Sequence, residues 1–143
     1  MRTQIAAGLG VAVLATGMLL APPGAAAQGV VPTAAPAAEP TSSFDISDAT
    51  TYTRGVLTWN DRSVGVSGEH SSPSADDCRA TWVYTFDTAR NRLGSRGIGF
   101  VCDRTAPYDF TVPADAEGGA DMVMVCLDDH DLNDLKCEAF SRP

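Results

Sequence analysis

Few residues in this 143-residue chain have the types and spacing to do chemistry. His70 stands beside Ser71 and Ser72, with Asp76 just beyond, so the three residue types of a Ser-His-Asp set share one polar stretch. Such a set works only when nucleophile and base meet while a third group orients the base. Neighbours along a polar loop do not meet that way, and Gly65-Val66-Ser67-Gly68 lacks the spacing of a nucleophile elbow. His130 is the only other histidine. The expectation is a protein that is not an enzyme, with a small hydrolase as the reading it displaces.

A second candidate is the acidic run Asp128-Asp129-His130-Asp131-Leu132-Asn133-Asp134. Asp128, Asp129, Asp131 and Asn133 offer hard oxygen ligands, three of them at alternate positions, which is how a calcium loop begins. The pattern then departs, because Asp134 stands where such a loop needs glycine and Phe140 where it needs a bidentate glutamate. A solvated acidic hairpin tip is the simpler reading, so no cofactor is expected and calcium is the one metal candidate. Trp59, Trp82, Tyr84 and Tyr108 form a third set, suited to stacking against sugar rings. Against that, Trp82, Tyr84 and Phe86 alternate on the same face as Cys78, the pattern of a packed core layer.

The cysteines reveal the elements that must position these groups. Four of them, with no Cys-x-x-Cys pair, favour two disulfides over a zinc site, and three connectivities are formally open. In an antiparallel hairpin facing residues have a constant sum of positions, so a Cys78–Cys102 bridge centres its turn on position 90. Arg90-Asn91-Arg92 lies there, between the runs Ala80–Phe86 and Gly97–Val101. The same test puts the midpoint of Cys126 and Cys137 inside the acidic run. Two hairpins, each with its own bridge, follow. Closing a loop of about 25 residues contributes roughly 3 kcal/mol on the chain-entropy account.

Around them lie further strand signals. Tyr52–Trp59 and Arg62–Glu69 flank Asn60-Asp61, a pair suited to the positive φ of a tight turn. A polar loop from His70 to Asp77 carries the chain to another sheet. Tyr108–Val112, between Pro107 and Pro113, reads as an edge strand. Glu117-Gly118-Gly119 turns the chain into Asp121–Leu127, apolar on both faces and so central, and Leu135–Phe140 completes the second hairpin. About seven strands without a helical period make an all-β, antiparallel, immunoglobulin-like β-sandwich with two intra-hairpin disulfides.

Met1-Arg2, the apolar run Ile5–Ala21 and Ala25-Ala26-Ala27 form a secretory signal peptide over 1–27. Residues 28–43, rich in Pro and Ala, read as a disordered leader, and 44–143 as one β-sandwich domain. Loss of Arg2 with the signal takes the formal charge from −8 to −9. So acidic a chain repels nucleic acid, and Arg90, Arg92 and Arg96 read as a solvated turn. The mature chain is not expected to insert in a membrane.

The Ala-rich signal, Thr58-Trp59-Asn60-Asp61-Arg62-Ser63-Val64-Gly65-Val66, Gly119-Ala120-Asp121-Met122-Val123-Met124-Val125-Cys126 and a last cysteine near the C-terminus resemble small exported proteins of high-GC Gram-positive actinobacteria, which are largely uncharacterised. The resemblance implies export and a β fold, and carries over no functional residue. Together these observations predict a secreted, extracellular, non-enzymatic protein that acts by surface recognition of an unknown extracellular or envelope partner. The alternatives are a secreted protease inhibitor presenting the segment from His130 to Lys136, or a weak calcium- or carbohydrate-binding module.

Overall fold

The computed structural model describes residues 38–143. The expected signal segment and the leader up to residue 37 lie outside the described residues. The rest forms eight antiparallel strands: β1 (Thr41–Asp48), β2 (Thr51–Trp59), β3 (Ser63–Ser72), β4 (Arg79–Phe86), β5 (Arg92–Val101), β6 (Arg104–Pro113), β7 (Met122–Asp128) and β8 (Asp134–Ser141). They make two sheets of four, ordered β1-β2-β3-β6 and β5-β4-β7-β8. The chain changes sheet after β3, β5 and β6, so β3 neighbours β6 in one sheet while their successors β4 and β7 are neighbours in the other. With β1 set aside, three strands face four in an immunoglobulin-like crossing.

Period-two alternation builds the core between the sheets. Phe44 and Ile46 of β1, Leu57 and Trp59 of β2, Val64 and Val66 of β3, and Tyr108, Phe110 and Val112 of β6 point inward from the first sheet. Val83 of β4 and Val123, Val125 and Leu127 of β7 meet them from the second. The central position expected for Asp121–Leu127 and the edge position expected for Tyr108–Val112 are those of β7 and β6. Gly118 and Gly119 turn the chain at φ of 80° and 77°, a region L side chains rarely adopt.

Four details differ from the sequence reading. The strand β1 is the eighth and was not anticipated; it starts at Thr41, inside the stretch read as leader. It is fixed by core burial of Phe44 and Ile46 and by the Trp59 indole N–H, which donates to Ser42 Oγ at 3.0 Å. The tip between β2 and β3 is Asp61-Arg62, one residue later than expected and without positive φ. There the Asn60 N–H donates to the Ser63 carbonyl at 3.0 Å. The strand β3 continues through His70 to Ser72, so His70 is a strand residue and not a loop residue.

The fourth difference concerns the central hairpin. Both bridges form as expected, Cys78–Cys102 and Cys126–Cys137. The β4–β5 pairing, however, slips twice, between Arg79 and Thr81 and between Thr85 and Phe86. These slips move the turn to Asp87–Asn91, where Arg90 takes a φ of 65°. They also turn Val101 inward and leave Phe100 exposed. Along β4 it is Thr81, Val83 and Thr85 that are buried, whereas Trp82, Tyr84 and Phe86 lie half-buried on the opposite face. The aromatic row is therefore outside the sandwich. The opposing sheet explains the choice: Trp59, Tyr108 and Phe110 already fill the inter-sheet layer, and close packing leaves β4 room only for small β-branched side chains.

Candidate functional site

The histidine set does not assemble. His70 points between the sheets, 3% exposed, with its ring edge-on to Tyr108 at 5.6 Å and Nδ1 3.4 Å from Thr81 Oγ1. Burial, aided by the charge of Arg104, pushes its pKa down to about 4, so the imidazole is neutral near pH 7. Ser71 lies on the other face of β3, accepting from Thr105 Oγ1 at 2.8 Å, and Ser72 donates to the Asp77 carbonyl. Asp76 is exposed in the following loop. These groups share an interval of sequence and no common point in space. His70 and Ser72 lie at a buried polar end of the core, where Arg79 grips the Asp77 carboxylate with both terminal nitrogens and donates to Thr51 Oγ1 at 3.2 Å.

The acidic tip is organised by one of its own members. Asp129 Oδ1 accepts from the N–H groups of Asp131 and Asn133, both at 2.9 Å, and its two oxygens also take the Asn133 side-chain amide. These bonds hold its carboxyl below the ordinary carboxylate range. Asp131 faces His130 at 3.3 Å, and Leu132 sits exposed at a φ of 62°. Asp128 points elsewhere, onto the outer face of the second sheet, where its strand partner is Asp134. Asp129 and Asn133 thus bond to each other, while Asp131 turns to His130 and Asp128 to the sheet face. Among the described residues the only grouped metal-type ligand atoms belong to Cys126, Asp134 and Cys137, and those two sulfurs are already bonded to each other.

The aromatic set divides in two. Trp59 and Tyr108 are core, and the Tyr108 hydroxyl lies 2.7 Å from Thr53 Oγ1. Trp82 and Tyr84 lie on the outer face of the sheet β5-β4-β7-β8. Across the strands, Trp82 is level with Gly97 on β5 and with Cys126 on β7, and Tyr84 with Ser95 and Met124. Phe86 is level with Arg92 and Met122. On β8 the row continues with Cys137, Ala139 and Ser141. This face therefore carries aromatic rings, two thioethers, a disulfide and small residues. The outer face of the first sheet contrasts with it. A concavity of about 740 Å³ on the first sheet is walled in part by Arg54, whose Nε donates to Glu69 at 2.9 Å. Arg54 and Glu69 pair with each other there, whereas on the second sheet half-buried aromatic rings form the face.

Glycine fixes the pose of the indole. A methyl group placed on Gly97 would come within 2.5 Å of the Trp82 ring, so the ring lies across that glycine, against β5. The Tyr84 ring is nearly parallel to it, at 22° and 6.4 Å between centroids. Core pairs behave otherwise: Phe44–Phe140, Tyr108–Phe110 and His70–Tyr108 are inclined at 56°, 51° and 84°, as ring quadrupoles favour. At one end of the strip the Arg92 guanidinium lies 6.0 Å from the Tyr84 centroid. At the other lie Asp134 and the buried Asp128, whose Oδ1 receives no hydrogen bond. Burial, then the charge of Asp134, pushes the Asp128 pKa up to about 6. Burial and these two carboxylates also raise the pKa of the Tyr84 hydroxyl.

No protein-family model matches this chain, and neither a curated protein nor a solved structure shows significant similarity to it. Among the described residues no helix is long and apolar enough to cross a membrane.

Proposed function

We propose that the protein is a secreted, non-enzymatic recognition module, of the kind exported by actinobacteria, and that the outer face of the sheet β5-β4-β7-β8 is its binding surface. One observation carries the reading: Trp82 and Tyr84 present near-parallel rings on the solvent side of a sheet whose inner side is fully packed. Two half-buried aromatic rings forgo part of the roughly 1.5–3 kcal/mol that full burial of each would contribute, a cost that a partner removes by covering them. The disulfides are consistent with an extracellular setting. A protease inhibitor is the weaker reading, because a left-handed Leu132 in a tight loop does not offer the extended segment that enters a protease cleft.

The test is a charge placed on the face. Tyr84→Arg combined with Met124→Arg leaves the core untouched, so thermal stability should hold while adsorption to envelope material and extracellular proteins of the producing cell is lost. Equal adsorption by the variant and the native protein would move the binding surface elsewhere.

A further inference from the structure

Building on the reading of this face as the binding surface, we propose that the Trp82–Tyr84 strip, with Asp134 at one end and Arg92 at the other, is a subsite for an uncharged glycan whose pyranose rings stack on the two aromatic faces. Orientation is the first argument. The indole is laid against β5 by the absence of a side chain at Gly97, and the half-buried Tyr84 ring lies nearly parallel to it, unlike the inclined pairs of the core. A pyranose presents a face of C–H groups with partial positive charge, which complements the negative face of an aromatic ring.

Relief is the second argument. Gly97 and Ser95 of β5 raise no bulky side chain on one side of the strip, and on the other Cys126 and Met124 of β7 border it. A protein interface needs interlocking knobs and holes at its centre, whereas a sugar ring needs a flat bed. Polarity is the third. A sugar's hydroxyl edge both donates and accepts, and the ends of the strip supply both roles: exposed Asp134 accepts and exposed Arg92 donates. The carboxylates, on a chain of formal charge −8, select against anionic glycans.

The experiment uses the oxidised protein and a panel of probes: insoluble cellulose and chitin, with soluble mannan, α-glucan and galactan. Retention is read by depletion and by affinity electrophoresis. Intrinsic fluorescence adds a local report, because the other tryptophan, Trp59, is in the core and only Trp82 can respond to a stacked ligand. At least one probe should be retained and should shift and shield the Trp82 emission. Trp82→Ala and Tyr84→Ala should each weaken binding by about tenfold or more at unchanged thermal stability, and Asp134→Asn by about tenfold. Gly97→Ala, which lifts the indole, should weaken binding while Trp82 is still present.

A blank panel would overturn the proposal, as would retention that survives both Trp82→Ala and Tyr84→Ala. If the panel is blank but the Tyr84→Arg, Met124→Arg variant still loses adsorption, the face is a recognition surface for something other than a glycan. If that variant adsorbs normally, both readings fall together. Dimerisation seen by light scattering and abolished by the same variant would assign the face to a second copy of the chain, and would equally overturn the glycan.

Discussion

Two buried titratable side chains pull the stability of this protein in opposite directions as pH changes. The folded-state pKa of His70, about 4, lies below its ordinary 6.5, so acid favours the unfolded chain: the stability it permits is complete above pH 6.5 and is lost as pH falls towards 4. The Asp128 value, about 6, lies above its ordinary 3.8, so its contribution is complete below pH 3.8 and is lost as pH rises through 6. Each shift corresponds to about 3 kcal/mol at most, and between pH 4 and 6 they oppose each other. Asp128→Asn should stabilise the protein at pH 7 by about 1–3 kcal/mol, an advantage that disappears by pH 4 and exposes the acid sensitivity due to His70. Urea unfolding at the two pH values measures this; an Asn variant no more stable than the parent at pH 7 would show that Asp128 is not destabilised by its surroundings. Neither role was legible from the sequence, where His70 and Asp128 stand in polar stretches. Burial of His70 follows from strand length, since β3 runs three residues further than its hydrophobic alternation indicates, and Asp128 ends β7 between Ala80 and Asp134 of the neighbouring strands.

At the level of elements, the hairpins were legible because cysteine spacing and turn composition agree, and both bridges form where their midpoints place them. The facing of β4 was not. Alternation divides Ala80–Phe86 into an aromatic row and a Thr-Val-Thr row but does not say which is inside, and hydrophobicity favours the wrong one. The answer resides in the opposite sheet: Trp59 and Phe110 occupy the space, and Thr85 Oγ1 finds a buried acceptor in the Pro113 carbonyl at 2.6 Å. The strand β1 was missed for a related reason, being a short Ser- and Asp-rich segment with only Phe44 and Ile46 to mark it. Ile46 is fully buried, so Ile46→Ala should cost about 2–4 kcal/mol by chemical denaturation. A neutral result would mean that Thr41–Asp48 is not part of the folded unit.

For the molecule as a whole, Cys126–Cys137 joins β7 to β8 and Cys78–Cys102 closes the mouth of the β4–β5 hairpin, so both bridges serve the sheet β5-β4-β7-β8 and none joins strands of the other. Covalent closure thus underlies the proposed binding face, while cohesion between the sheets comes from the apolar layer and a few hydrogen bonds such as Thr85 to the Pro113 carbonyl. Replacing Cys126 and Cys137 together by Ala opens the shorter loop and should lower stability by about 3 kcal/mol, with the Trp82 environment altered because Cys126 is its neighbour on β7. Denaturant titration followed by tryptophan emission would show both effects. Unchanged stability would mean that the hairpin is held by its strand pairing without help from the bridge.

The placement of the bridges and of β1 has a mechanical corollary. Tension entering from residues before Thr41 reaches an edge strand bonded only to β2, and it arrives at the open mouth of that hairpin, where Thr41 faces Thr58. Hydrogen bonds there are loaded one after another, so β1 unzips at low force while the doubly stapled sheet stays intact. The loops closed by Cys78–Cys102 and Cys126–Cys137, spanning 24 and 11 positions, can never pay out under load. A pulled molecule therefore behaves as a short extensible lead on a stiff head, and the head is the part that carries Trp82.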